Sequence, residues 1–294
     1  MTKIQIKNNL IKGERMNTTN ENFNKDNPVE ETNSKVIFDK VTKIYGDPNT
    51  PNSMVAVNCL DVKIKDSEIV SILGPTGCGK STAMNMIAGF EFPTEGQVLL
   101  DGKPVKGPGP ERSIVFQQAS LFPWLSVFDN VVLGVKSRGM PQIEYTQKAM
   151  ELLKIVRLTG FEKHYPYQLS GGMQQRVQIA RALISSPKVL LMDEPFGALD
   201  SQTRLMMQEL VLQIWQEYKP TIIFITHDVP EAVFVSDRVL LMARRPGRLK
   251  LSIDVNEPKP RTQDFLISQK FVNLQSQLLQ ALREEVQQSG ATDH

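Results

Sequence analysis

The sequence predicts an α/β fold, with a mostly parallel sheet core, an antiparallel β-subdomain ahead of it and an α-helical subdomain inserted into it. Three observations carry that prediction. Residues 69–74 (IVSILG), 189–193 (VLLMD), 221–226 (TIIFIT) and 239–242 (VLLM) are short apolar runs bounded by turn residues, the pattern of strands buried on both faces. Residues 35–38 and 55–64 instead alternate apolar and polar, as a sheet with one buried face does. Between residues 126 and 186 no strand-like run occurs and the texture is helical.

Along the chain, residues 1–34 are rich in Asn, Lys, Glu and Thr and are expected to be a flexible extension, with Met16 as an alternative start. The main domain is expected over residues 35–260, with the helical subdomain at 120–187. Residues 46–53 (GDPNTPNS) read as a loop. Residues 143–156 have a helical apolar pattern, and 171–185 begin with a glycine pair and stop before Pro187. Residues 261–294 form a helical tail, amphipathic over 265–288, and no internal repeat occurs.

Composition narrows the class. A chain of 294 residues suits one domain with appendages. With 40% hydrophobic and 22% charged residues it can build an ordinary packed core. A net charge of +2 gives no argument for nucleic acid or an acidic membrane surface. Cys59 and Cys78 make neither a metal pattern nor a disulfide framework, which fits reduced cytosol. No apolar run reaches the roughly 18–20 residues that cross a bilayer. The first residues lack the apolar stretch and cleavage site of a secretory signal, so any membrane role is expected from outside the lipid.

The chemistry begins at Gly74-Pro75-Thr76-Gly77-Cys78-Gly79-Lys80-Ser81, which fits G-x-x-x-x-G-K-[ST] between an apolar strand and a helix-compatible run starting at Thr82. Glycines let backbone N–H groups turn inward around phosphate oxygens, and the helix start adds positive potential. Lys80 would reach the β- and γ-phosphates, and the Ser81 hydroxyl would ligate Mg²⁺. The run 188–194 (KVLLMDE) supplies the other half. Asp193 leaves the C-terminal end of a buried strand, where ligands of parallel sheets gather, and can hold Mg²⁺ directly or through water. Glu194 follows it and can take a proton from an attacking water. These two elements define a nucleoside triphosphatase; kinases, GTPases and helicases share them.

Leu169-Ser170-Gly171-Gly172-Met173-Gln174-Gln175-Arg176 narrows the class. Here the sequence resembles the ATP-binding-cassette (ABC) family, whose signature is LSGGQ followed by a basic helical stretch. Ser170, Gly171 and Gly172 at a helix start form a second anion-binding cap, and Ser170 also suits a helix N-cap. The resemblance implies that this cap binds the γ-phosphate of ATP held by another subunit, in a head-to-tail dimer around two ATPs. Met173 departs from the usual Gln; the hydroxyl and backbone donors survive the change, while a side-chain contact from that position is lost.

The same resemblance assigns the other motifs. Gln117 looks like the hinge glutamine that contacts Mg²⁺ or the attacking water, with Gln118 the alternative. Asp200 in Ala-Leu-Asp looks like the loop crossing to the partner subunit, and equally suits an N-cap. His227 looks like the histidine on the γ-phosphate, and Tyr45 like the aromatic that stacks on adenine. The ATP contacts implied are Tyr45 and residues 74–82, with Ser81, Gln117 and Asp193 toward the metal and Glu194, His227, Gln117 and Lys80 catalytic. The implied fold is a P-loop, RecA-like core.

A DNA-repair relative would need a long heptad insertion between residues 117 and 169, and a translation relative usually carries two cassettes. A transport subunit is therefore expected. Gly107-Pro-Gly-Pro-Glu-Arg112, the LFPW run ending at Trp124 and Arg245-Pro-Gly-Arg248 resemble importers of the nitrate/sulfonate/taurine group. Phe122, Pro123 and Trp124 are expected to face an integral-membrane permease, with a solute-binding protein engaged indirectly and the subunit peripheral on the cytoplasmic face. Taurine or another alkyl sulfonate is the leading solute; nitrate, bicarbonate, cyanate and a thiamine precursor are alternatives.

Overall fold

The computed structural model describes residues 34–47, 50 and 53–290; residues 1–33 of the expected extension and part of the 46–53 loop lie outside the described residues, and Ser34 already belongs to the first strand. The described residues open with β1 (Ser34–Tyr45) and β2 (Met54–Lys65), which pair antiparallel. β3 (Ile69–Leu73) leads through the phosphate loop into α1 (Lys80–Ala88), and then come β4 (Glu95–Leu100), β5 (Lys103–Pro104) and β6 (Arg112–Val115). Three helices follow, α2 (Val127–Ser137), α3 (Gln142–Ile155) and α4 (Gly171–Leu183). The chain then alternates β7 (Val189–Asp193), α5 (Ser201–Tyr218), β8 (Thr221–Thr226), α6 (Val229–Val235) and β9 (Arg238–Met242). The described residues end on β10 (Leu249–Asp254), α7 (Gln263–Leu266) and α8 (Gln269–Gly290).

Two sheets result. One is antiparallel in the order β2-β1-β4-β5, and the other runs β10-β9-β3-β8-β7-β6. In the second sheet all pairs are parallel except β10 on β9, so the expected parallel core is present with an antiparallel edge. Alternation along its strands separates two cores. Leu190, Met192, Ile222, Phe224, Val239 and Leu241 point into the core built with α2–α6 and the C-terminal helices. Leu191, Ile223, Ile225, Leu240 and Met242 point to the opposite face, against α1, β1 and β2. Both faces are covered, which is why these strands read as unbroken apolar runs.

Three elements differ from expectation. β4 and β10 carry no apolar run because each keeps part of a face open to solvent. The expected helix over 265–288 is two helices. Ser268 stops the first and caps the second, its Oγ accepting from the Phe271 amide at 3.2 Å. Phe265, Phe271, Leu278 and Ala281 pack the pair into the first core. Among the described residues no helix is long and apolar enough to cross a membrane.

Candidate active site

The strand order places β3, β8 and β7 side by side, so the loops after them meet at one edge. After β3, Gly79 adopts φ 90° and caps α1. A Cβ there would lie 2.9 Å from both Ala56 O and Val57 Cγ2, so only glycine lets the loop lie this close to β2. Lys80, the first helical residue, is buried; its ammonium donates to Gly74 O at 2.8 Å and Pro75 O at 3.1 Å. Cys78 is fully buried, and burial raises its thiol pKa. Thr76, Gly77 and Ser81 are exposed around the loop. Tyr45 closes β1 beside them. Its hydroxyl bonds Glu91, lies 3.4 Å from Thr82 Oγ1, and has a pKa raised by burial and then by Glu91. With Gly77, Gly79, Lys80, Ser81 and Thr82, Tyr45 lines a cavity of about 190 Å³.

Asp193 ends β7 half-buried, and no hydrogen bond reaches its carboxylate among the described residues. Burial, and then the charge of Glu194, raise its pKa, while Lys80 opposes them. A half-buried carboxylate left in this condition suits a hard cation. Together with the Ser81 hydroxyl and the Gln117 amide it offers the oxygen donors that Mg²⁺ takes, so the residues present fit the metal. Glu194 stands at φ 43°, a conformation that turns its side chain away from the strand line. Its Oε2 lies 3.1 Å from His227 Nδ1, the first residue after β8. Gln117 Nε2 lies 3.4 Å from the position of a Cβ on Gly197, beside the same loop; no such contact exists for Gln118.

The second cap shares no hydrogen bond or ion pair with this cluster among the described residues. Ser170 Oγ accepts from the Met173 amide at 3.3 Å, capping α4. Gly172 packs on Thr203, where a Cβ would lie 2.8 Å from Cγ2. Asp200 caps α5 through the Thr203 amide at 3.0 Å, and that hydrogen bond lowers its pKa. Residues 170–172 and Asp200 are thus neighbours, yet no hydrogen bond or ion pair joins them to the phosphate loop among the described residues. Phe122, Pro123 and Trp124 face outward, with Trp124 70% exposed. Asn130 pins their turn through Phe122 N, Phe122 O, Leu125 O and Ser126 O.

The sequence reading missed two groups. Glu231 is buried under His227, where it accepts from Thr226 and from Gln208 at 3.2 Å, and burial raises its pKa. Arg245 lines the same cavity as Tyr45, Gly77 and Ser81. The Arg-Pro-Gly-Arg motif was visible, but its packing against the phosphate loop was not.

A phosphate loop on a buried lysine, facing a strand-end Asp-Glu pair and a histidine, defines a P-loop nucleoside triphosphatase. The family model for ABC transporters matches residues 57–197. An uncharacterized ABC transporter ATP-binding protein of Methanocaldococcus jannaschii is 46% identical over 87% of this chain and 94% of its own length. The aliphatic sulfonates import ATP-binding protein SsuB of Bacillus cereus is 41% identical over 83% of this chain and 94% of its own. The taurine import ATP-binding protein TauB of Rhizobium johnstonii is 49% identical over 68% and 77%. Among solved structures, CbiO1 of Clostridium perfringens, part of an ABC transporter complex, aligns with a TM-score of 0.70 at 26% identity, covering 82% of this chain and 97% of that one. The chain belongs to the ABC transporter family as an ATP-binding subunit. It is an ATPase of the importer kind to which its sulfonate and taurine relatives belong.

Proposed function

We propose that two copies of this subunit close head to tail on two ATP molecules and that hydrolysis drives uptake of an alkyl sulfonate such as taurine. The observation that carries the catalytic reading is the meeting of Glu194 and His227 at 3.1 Å, beside Asp193 and the phosphate loop. Glu194 would hold a water in line with the γ-phosphorus and take its proton as the bond to the β-phosphate oxygen breaks. His227 and Lys80 would face the charged phosphoryl oxygens. Ser81, Asp193 and Gln117 would hold Mg²⁺, which supplies charge neutralisation on the phosphates.

That no hydrogen bond or ion pair joins the 170–172 cap to the phosphate loop of its own chain among the described residues supports sharing between subunits. A dimeric ATP-binding cassette solved with ADP and Pi, 33% identical over 76% of this chain with a TM-score of 0.65, shows that a relative of this fold pairs. The exposed turn at Phe122, Pro123 and Trp124 would dock a permease helix on the cytoplasmic face. The sulfonate reading rests on the relatives' names and on the motifs shared with that group.

Glu194→Gln tests the first part. The amide keeps shape and hydrogen bonding but removes the base, so hydrolysis should fall by about 10²–10⁴-fold. ATP binding should persist, and MgATP should hold two subunits together on size exclusion. Hydrolysis within a few-fold of wild type would sink the assignment. Uptake by the subunit reconstituted with its permease and binding protein tests the solute. Transport of nitrate or bicarbonate without taurine would overturn the sulfonate reading.

A further inference from the structure

We propose that Arg245 is a further nucleotide-binding residue, a second cation set over the phosphate loop from outside; this rests on residues 74–82 holding ATP as proposed above. The turn that carries it, between β9 and β10, is fastened to the loop's foundations. The Gly247 amide donates to Ala56 O at 3.0 Å, the Asn58 amide to Gly247 O at 2.8 Å, and the Ala243 amide to Arg248 O at 2.9 Å. A Cβ on Gly247 would lie 2.2 Å from Cys78 O and 2.8 Å from Ala56 O, so the turn touches the phosphate loop backbone with no room to spare. From the other side, the Arg244 amide donates to Glu285 of α8 at 3.0 Å. Backbone on both sides of Arg245 is therefore fixed relative to the loop.

Its guanidinium lies on the loop. From the position a Cβ would take on Gly77, Nη2, Nε and Cζ stand at 3.5, 3.7 and 3.9 Å. Such even spacing lays the guanidinium against the glycine. There it lines the same cavity as Tyr45, Ser81 and Thr82. Arg238 is spent on Glu68 and Arg204 on Asp228, whereas Arg245 makes no hydrogen bond or ion pair among the described residues. A surface arginine without a partner is ordinary; one held on the wall of an anion cavity is placed for a ligand.

The chemistry fits a polyphosphate. Guanidinium presents a planar fork of donors that matches phosphate oxygens. Lys80 serves the loop from within, through the carbonyl oxygens of Gly74 and Pro75, and Arg245 serves it from the solvent side. Because Arg245 sits beside Gly77 and Thr82 rather than Glu194 and His227, it acts on holding nucleotide, and ATP and ADP should feel it alike.

The test is displacement of a fluorescent ADP analogue from the full chain by ATP and by ADP, for wild type, Arg245→Ala, Arg245→Lys and Lys80→Ala. Arg245→Ala should weaken both nucleotides about tenfold, the scale of a charge-assisted hydrogen bond, with an unchanged melting temperature. Arg245→Lys should recover part of the loss, and wild-type affinity should fall more steeply with salt than that of Arg245→Ala. Unchanged affinities in Arg245→Ala beside a clear loss in Lys80→Ala would overturn the inference and leave the nucleotide site standing. A lowered melting temperature in Arg245→Ala, with affinity lost only in proportion, would overturn it in favour of a structural role. Unchanged affinity in Lys80→Ala would sink the site reading itself.

Discussion

Replacing Asn130 by Ala should release the turn that presents Trp124. Asn130 is fully buried on α2, and its one amide serves four backbone groups. Oδ1 accepts from Phe122 N at 2.8 Å, and Nδ2 is shared among Phe122 O and Leu125 O at 3.1 Å and Ser126 O at 3.0 Å. Phe122 is 37% exposed and its carbonyl keeps the Leu125 amide at 3.1 Å, and Ser126 O keeps the backbone amide of position 130 at 2.9 Å, whereas the half-buried Leu125 O loses its side-chain donor outright. One to two effective losses near 1 kcal/mol apiece give a destabilisation of about 1–2 kcal/mol. For a domain of this size that lowers the melting temperature by about 2–8 °C. Scanning calorimetry on the purified chain reads it directly. Trp124→Glu, on the same turn but in solvent, should leave the melting temperature alone and lose co-purification with the permease. A drop of under about 1 °C for Asn130→Ala would refute the reasoning, because the half-buried Leu125 carbonyl would then lose its amide donor at no cost. A Trp124→Glu variant that unfolds would refute the docking surface.

Two further outcomes follow from the same geometry. Lys80→Ala should abolish hydrolysis and most nucleotide affinity, since the buried ammonium is the loop's internal cation; a phosphate-release assay showing near-normal turnover in a folded variant would contradict this. Glu231 has a pKa raised by burial, so the folded state binds its proton more tightly than the unfolded chain does. Its contribution to stability is fully present below the ordinary carboxylate pKa and is lost as pH rises through the raised one. Glu231→Gln should therefore flatten the decline of melting temperature over that interval, and a variant with the wild-type pH profile would exclude the effect.

How much was legible depended on how many faces an element buries. The strands at residues 69–73, 189–193, 221–226 and 239–242 stood out because both faces are covered, so apolar residues fill both sides and the polar ones fall at strand ends, apart from Ser71, which is buried on Ser236. β10 and β4 look polar for the opposite reason, and the break at Ser268 looked like helix because its cap is local hydrogen bonding, to which periodicity is blind. Lys80, Asp193, Glu194 and His227 could be named because their chemistry lies in short motifs at strand ends. Glu231 could not. In sequence it is one more helical carboxylate, and only Gln208 from α5 and Thr226 from β8 reveal it as buried. Arg245 was hidden for a related reason, since its neighbour Gly77 lies far away along the chain.

The signature helix holds the strand end at Phe116 by two side chains. Gln175 Nε2 donates to Phe116 O at 3.0 Å. Gln178, in the amide orientation that satisfies its neighbours, accepts from Phe116 N at 2.7 Å and donates to Phe116 O at 3.2 Å. Both glutamines are buried, so water competes poorly for that peptide. Phe116 is consequently a passenger of α4 rather than of the sheet. Any rocking of the helical layer must be absorbed upstream, at the junction with Val115, and downstream between residues 184 and 188, where the chain re-enters the sheet. Gln117 follows Phe116 directly, so such a rocking would carry it along. It would then swing toward or away from Glu194 in step with the cap at Ser170, so one lever arm would set the proposed metal contact and the proposed subunit contact together.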